Sequence, residues 1–397
     1  MKTFDSSRFF YKNSDKGIVR TPVELAQEMI SNIPEYIFES STTTFLDPAC
    51  GRGTFLIQIT KKLKSYGHSW ENITSRIFGI DIDPFSGIKQ AQYILGSKNL
   101  IVQDFLEMSF PENWPKEFDV IVSNPPYSSK LDLKFLEKCF DISKESVTFV
   151  HPASSFIETK GNNKFYNSIN SKIEKNIEKI TIFNGNGIFG IFLKVPCSIT
   201  HISKSKKTKE FMLENLIVGE TNLVDSLDKV NVHGSPDIFW SIREKILSKI
   251  KDLTSLNDNR KKSIKPDSYM VEFSHIQGHT VVDGESMNQK MYKRNFFVIL
   301  NDKNISPKMG ISPRYKLLFE FSTEIEAKNF ISYCKTDFAR FCLAISKTSS
   351  HLDNGELKTV PWMNFDKKWD DKSLFEFFSL NHNEIEFIKK VIPNFYD

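Results

Sequence analysis

Along the first half of the chain, short all-apolar runs alternate with stretches whose apolar residues recur every three or four positions. The runs predict strands near Thr44–Asp47, Ile77–Asp81, Leu100–Gln103, Asp119–Ser123, Val147–His151, Ile180–Phe183 and Ser198–Ile202. The stretches between them predict helices: Phe55, Leu56, Ile59 and Leu63 share one face between Thr54 and Leu63. Strands alternating with helices are the pattern of a parallel α/β sheet. Seven strands within about 200 residues predict one compact, doubly wound domain over residues 1–205.

After Ser203 the pattern changes. The polar, basic stretch from Ser203 to Lys209 reads as a domain edge, leaving residues 206–397 for a second, α+β domain. Thr323 and Glu326 form a capping box that opens a helix. Beyond it Ala327, Phe330, Ile331, Cys334, Phe338, Phe341, Cys342 and Ile345 make an apolar stripe expected to be core. A last helix is expected from about Glu384, capped by Asn383 and ending before Pro393. Between Arg243 and Lys265 stand eight basic residues against Glu244, Asp252 and Asp258. Beside a catalytic domain, such a run is expected to face phosphates.

Composition narrows the setting. With 40% hydrophobic and 26% charged residues, the chain has the balance of a globular protein. No run approaches the roughly 18 apolar residues of a membrane span, and the first residues lead into no signal-like apolar segment. Five scattered cysteines without a C-x-x-C pair suit a reducing compartment, so a cytoplasmic location is expected. The net charge of +4 is compatible with a polyanionic partner and does not establish one.

The candidate chemistry lies at the predicted strand ends. The first strand runs into Asp47-Pro48-Ala49-Cys50-Gly51-Arg52-Gly53, an acidic tip followed by a glycine turn that launches a helix. Ligands of doubly wound sheets sit at such ends, and Gly51 and Gly53 would let the backbone approach one closely. A carboxylate at Asp47 suits an ammonium group and would repel a pyrophosphate. At the second tip, Asp81 is expected to accept ribose hydroxyls, with Asp83 capping a helix that starts at Pro84. At the third, Asp104 is placed to accept from an exocyclic amine, with Phe105 flanking the ring. The fourth strand ends in Asn124-Pro125-Pro126-Tyr127. Two prolines remove amide donors, which leaves the Asn124 side-chain oxygen and the Pro125 carbonyl as acceptors beside the planar Tyr127. That set suits a flat group bearing an NH2.

The order of these motifs resembles the S-adenosylmethionine-dependent DNA N6-adenine methyltransferases of restriction–modification systems, in their gamma arrangement. The resemblance covers residue 17 to about residue 203 motif by motif, and beyond that order and size only. It implies a Rossmann-like seven-stranded methyltransferase sheet, a C-terminal target-recognition domain and S-adenosyl-L-methionine as cofactor. Its implied cofactor residues are Thr21 and Pro22, which close over the methionine end; Asp47, Ala49, Cys50, Gly51 and Gly53; Asp81 and Ile82; Asp104 and Phe105; and Asn124. The implied catalytic residues are Asn124, Pro125, Pro126 and Tyr127, with Tyr127 and Phe189 (Phe192 in reserve) stacking on a base flipped from duplex DNA. Thr21 and Glu24 also spell a capping box with Pro22 in the first turn.

The implied partners are double-stranded DNA and a cognate restriction endonuclease, without membrane or metal. His275 and His279 have metal-pair spacing but Gly278 between them and no third ligand near, and are expected to be loop histidines. Lys293, Arg294, Arg314 and Trp362 are the candidate base readers. Alternatives stay open: N4-cytosine methylation, methylation of RNA or of a protein glutamine, a DNA-binding subunit with a dead methyltransferase fold, or a dinucleotide dehydrogenase. The last would lack the full G-x-G-x-x-G. Asn124, where cytosine enzymes more often carry serine, favours adenine.

Overall fold

The computed structural model describes residues 20–85, 87–127, 130–153, 155, 164–185, 188–189, 196–261, 269–274, 296–300, 316–345 and 357–392. The chain divides into two compact units, the first reaching Leu227 and the second running on from Asp228.

In the first unit, α1 (Val23–Ser31) and α2 (Glu35–Glu39) precede β1 (Phe45–Asp47), α3 (Thr54–Ser65), α4 (Trp70–Arg76), β2 (Ile77–Asp81), α5 (Ile88–Leu95) and β3 (Leu100–Val102). Then come β4 (Phe118–Ser123), α6 (Leu131–Ile142), β5 (Ser143–Pro152), α7 (Lys164–Ile173), β6 (Ile177–Asn184) and β7 (Pro196–Ser203). The sheet order is β3-β2-β1-β4-β5-β7-β6, extended by β8 (Phe211–Asn215) and β9 (Glu220–Val224). Strands β1 to β5 run parallel, and β7 inserts antiparallel between β5 and β6. The chain winds outward from β1 to β3 and then returns to lay β4 on the other side of β1. The crevice for a ligand therefore lies beyond the carboxyl ends of β1 and β4.

All seven expected strands are present. Two more extend the sheet, because the basic stretch after Ser203 is a turn within this unit rather than its edge. Asn176 holds it, its Nδ2 donating to the carbonyls of Ser203 (2.7 Å) and Lys206 (3.3 Å). The compact unit thus ends at 227, not 205. Apolar side chains of α1 and α3 (Leu25, Met29, Phe55, Ile59) share a core with Phe45, Ile77 and Val120 of the central strands. This burial is the main driving force for the layer.

The second unit is α+β. It contains α8 (Pro236–Leu253), β10 (Tyr269–Ser274), β11 (Phe296–Leu300), β12 (Lys316–Phe321), α9 (Glu324–Cys334), α10 (Asp337–Ile345), α11 (Asp371–Phe377) and α12 (His382–Val391). Its three described strands pair antiparallel in the order β11-β10-β12. The capping box of Thr323 and Glu326 is formed. The apolar stripe after it is core but belongs to two helices, α9 and α10, that break between Cys334 and Asp337. The last helix is capped by Asn381, not Asn383: Asn381 accepts from the Glu384 N–H and Glu384 returns a bond to the Asn381 N–H.

The basic run is less open than its composition implies. Arg243 is buried, and Lys245 pairs at 2.7 Å with the buried Glu384. Lys261 lies 3.6 Å from Glu320. Lys262, Lys265, Lys293, Arg294 and Arg314 lie outside the described residues, as do His275 and His279. Trp362 is partly buried, stacks on Phe319 and Phe321 and packs against the core of this unit. No described helix is long and apolar enough to cross a membrane.

Candidate active site

Asp47 closes β1 and is 1% exposed. Its Oδ1 accepts the Ala49 N–H at 3.2 Å and the Ser123 hydroxyl at 3.1 Å. Burial pushes the carboxyl up to about 7; those two bonds oppose the rise, and Asp81 nearby adds to it. A carboxylate held out of water in this way is stabilised by an incoming cation.

The glycine turn follows. Gly51 and Gly53 have φ +49° and +76°, the left-handed region that glycine enters without steric cost. A Cβ on Gly53 would meet the Ala91 Cβ at 2.9 Å, so this glycine also lets α5 pack close. A Cβ on Gly51 would have Asp81 Oδ2, at 4.0 Å, as its nearest neighbour among the described residues. Cys50 is buried and its N–H donates to the Ile80 carbonyl at 2.9 Å, which fastens the turn to β2.

Asp81 sits across from that turn. Its Oδ2 accepts the Gly51 N–H at 2.8 Å and its Oδ1 the Asp83 N–H at 2.9 Å. Carboxylate oxygens have further lone pairs, so hydroxyl acceptance remains open to it. Asp83 does not cap a helix at Pro84. Its carboxylate accepts the Phe85 N–H at 2.8 Å in a local turn, and α5 starts only after Gly87. Ile82 is 66% exposed at this tip.

Beyond β3, Asp104 accepts the Leu106 N–H at 2.9 Å. Phe105, expected to flank a ligand ring, is instead buried against Phe135 with ring centroids 5.1 Å apart. Lys138 of α6 clamps this loop, its Nζ donating to the carbonyls of Phe105, Leu106 and Met108. Nothing in the sequence marks Lys138, since a lone lysine on a helix gives no sign that it is turned inward.

At the end of β4, the register Leu46↔Ile121 brings Ser123 beside Asp47 and carries the tetrapeptide to the same end of the sheet. Asn124 is engaged at both ends of its amide. Nδ2 donates to Thr21 Oγ1 at 3.1 Å, and Oδ1 accepts the Tyr127 hydroxyl at 2.5 Å. Burial raises the Tyr127 phenol well above its usual range, so it stays a donor. The expected capping box at Thr21 does not form: Pro22 is the N-cap of α1, without a side-chain cap, and the Thr21 hydroxyl faces Asn124.

Phe189 is not presented as a stacking platform. It is 2% exposed and packed in the core with Phe183 and Ile188, while Phe192 lies outside the described residues. A buried polar cluster that the sequence did not reveal joins the start of α6 to β5. Ser155 donates to Asp132 Oδ2 at 2.6 Å, His151 Nδ1 stands 3.6 Å from the same oxygen, and His151 Nε2 meets Thr200 Oγ1 at 2.9 Å. Among the described residues, no group of His, Cys, Asp and Glu is arranged to hold a metal ion.

Residues 8–156 match the family model described as N-6 DNA Methylase. The chain is 30% identical over 128 residues to the type II methyltransferase M.VspI of Vibrio sp. (strain 343), covering 31% of this chain and 28% of that one. It is 24% identical over 218 residues to a release factor glutamine methyltransferase of Flavobacterium psychrophilum, covering 54% and 69% of the two chains. A modification subunit of a putative type I restriction enzyme from Vibrio vulnificus matches with a TM-score of 0.40 at 17% identity, over 50% of this chain and 46% of that one. The match thus spans less than a third of M.VspI, the first of these relatives.

Proposed function

We propose that this chain, a member of the N-6 DNA methylase family through residues 8–156, methylates the N6 amine of adenine in DNA with S-adenosylmethionine. The observation that carries the reading is that Asp47 with its glycine turn and Asn124 with its tetrapeptide follow the adjacent carboxyl ends of the paired strands β1 and β4, tied by the Ser123–Asp47 bond.

The residues fit the cofactor. The buried Asp47 carboxylate is complementary to an α-ammonium group, Asp81 retains acceptor capacity for ribose hydroxyls, and the bare Gly51 leaves room beside it. Asp104 is the candidate partner of the adenine amine. When bound, S-adenosylmethionine supplies an electrophilic methyl carbon on a sulfonium sulfur, which keeps the electron pair of the broken C–S bond.

The chain's own task is to make a poor nucleophile attack. The lone pair of an adenine amine is delocalised into the ring. Asn124 Oδ1 and the Pro125 carbonyl would accept its two N–H bonds, favouring a pyramidal nitrogen with a localised lone pair. Oδ1 has a second lone pair, so the Tyr127 hydroxyl and the substrate amine can be accepted together. The prolines fix the backbone so that both acceptors are preorganised. Positioning in line with the methyl carbon then supplies much of the rate. The surplus proton on nitrogen leaves to water. Tyr127 is the aromatic that would stack on the base once it has left the duplex.

The second unit, from Asp228 onward, is proposed as the target-recognition domain, and a cognate restriction endonuclease as the functional partner. The test is product identification. The full chain, incubated with duplex DNA and S-adenosylmethionine and followed by nucleoside mass spectrometry, should yield N6-methyladenine. N4-methylcytosine alone, or transfer only to a release factor's glutamine, would replace this reading.

A further inference from the structure

Asn124 presents a problem that its proposed role makes acute. Its side-chain amide has an acceptor and a donor of nearly equal size, and rotation by half a turn exchanges them. Only the oxygen can accept from an adenine amine; a reversed amide would set N–H against N–H. Something must fix the orientation.

We propose that Thr21 is a positioning residue whose hydroxyl, by taking the Asn124 Nδ2–H, holds the amide oxygen toward the substrate amine. The proposal rests on the adenine-methylating reading above. Thr21 Oγ1 lies 3.1 Å from Nδ2, an ordinary N–H···O length, and joins residues 103 apart in sequence. On the other side, the Tyr127 hydroxyl is 2.5 Å from Oδ1. That separation suits O–H···O and is too short for a bond from a hydroxyl to an amide nitrogen, so the two contacts agree on one orientation.

A hydroxyl can donate as well as accept, so Thr21 alone would tolerate either amide orientation. The Tyr127 phenol, half-buried and kept protonated by a value raised well above its usual range, breaks the tie by donating to the oxygen. The two hydroxyls thus act as a pair, one on each end. Thr21 is also the residue next to the N-cap of α1, so its backbone is fixed where the helix begins.

The discriminating experiment is a double-mutant comparison in the full chain, reading kcat for DNA methylation and, separately, S-adenosylmethionine binding by calorimetry. Thr21→Val keeps the shape and removes the hydroxyl; Thr21→Ser restores it. In the Asn124 protein, Thr21→Val should lower kcat by about 10- to 100-fold with cofactor affinity changed less than about threefold, and Thr21→Ser should recover most of the loss. In the Asn124→Asp background, where the two carboxylate oxygens are equivalent and no orientation has to be chosen, Thr21→Val should cost less than about threefold.

An equal loss in both backgrounds would overturn the proposal in favour of a general structural role. So would a loss confined to cofactor affinity. A wild-type protein that forms no N6-methyladenine would instead remove the underlying reading, an outcome distinct from either.

Discussion

Ser123 donates its hydroxyl to Asp47 Oδ1 at 3.1 Å, joining the last residue of β4 to the last residue of β1. Through it, the strand that carries the tetrapeptide is bonded to the carboxylate that faces the glycine turn. The spacing between Asp47 with its glycine turn and the tetrapeptide that starts at Asn124 is therefore set by adjacent, paired strands and not by loops.

The raised value of Asp47 predicts that binding of the proposed cofactor is pH-dependent. Its folded value, about 7, lies above the ordinary 3.8, so the folded protein holds the extra proton between these limits. Stability from this group is accordingly greatest at low pH and declines as pH rises from about 4 to about 7, levelling off above. A cationic ligand needs the ionised form, so affinity for S-adenosylmethionine should climb through pH 7 and release a proton below it. Calorimetry in two buffers of different ionisation enthalpy reads both. Asp47→Asn should flatten the profile, weaken binding about 10- to 100-fold, and stabilise the ligand-free protein at pH 8 by roughly 1–3 kcal/mol.

Gly53→Ala should lower stability by about 1–3 kcal/mol, from a positive φ and from the Cβ placed against Ala91. Denaturant melts with and without Ala91→Gly separate the two causes. The second substitution should recover the packing part and leave the backbone part.

Lys138→Met should loosen the loop that carries Asp104, since three carbonyls lose a shared donor. The expected result is a several-fold rise in KM for S-adenosylmethionine with kcat nearly kept, alongside a loss of about 1–3 kcal/mol in stability. Steady-state kinetics with varied cofactor checks it. A fall in kcat with KM unchanged would contradict the assigned place of the loop.

Lys245→Met should destabilise the second unit by about 1–3 kcal/mol, because it leaves the buried Glu384 carboxylate, still hydrogen-bonded to Ser241 and the Asn381 N–H, without its counter-ion. The salt dependence of DNA binding should stay as it was, since this lysine is committed within the fold. A shallower salt slope would return Lys245 to a phosphate-facing surface.

The sheet was legible where burial dominates. β2 is wholly apolar up to Asp81 and begins and ends where its pattern predicts. β8 and β9 were missed because an edge hairpin buries one face only, leaving Met212 and Leu223 exposed amid polar neighbours. At the site, the acidic tips and the tetrapeptide were readable from residue type. Their cross-connections were not: nothing local in Thr21 announces a partner 103 residues away. The same limit hid the inward turn of Lys138 and the burial of Phe105 and Phe189, where an apolar residue near a ligand motif reads alike as core or as contact. Composition misled at Lys245, whose charge is satisfied by a carboxylate from a distant helix.

Asn124→Ala tests the proposed role of the Asn124 amide most directly. Tritium transfer from labelled S-adenosylmethionine to duplex DNA should fall by at least about a thousandfold in this variant, while calorimetric cofactor binding stays within a few-fold of wild type. Transfer at a near wild-type rate would contradict the account.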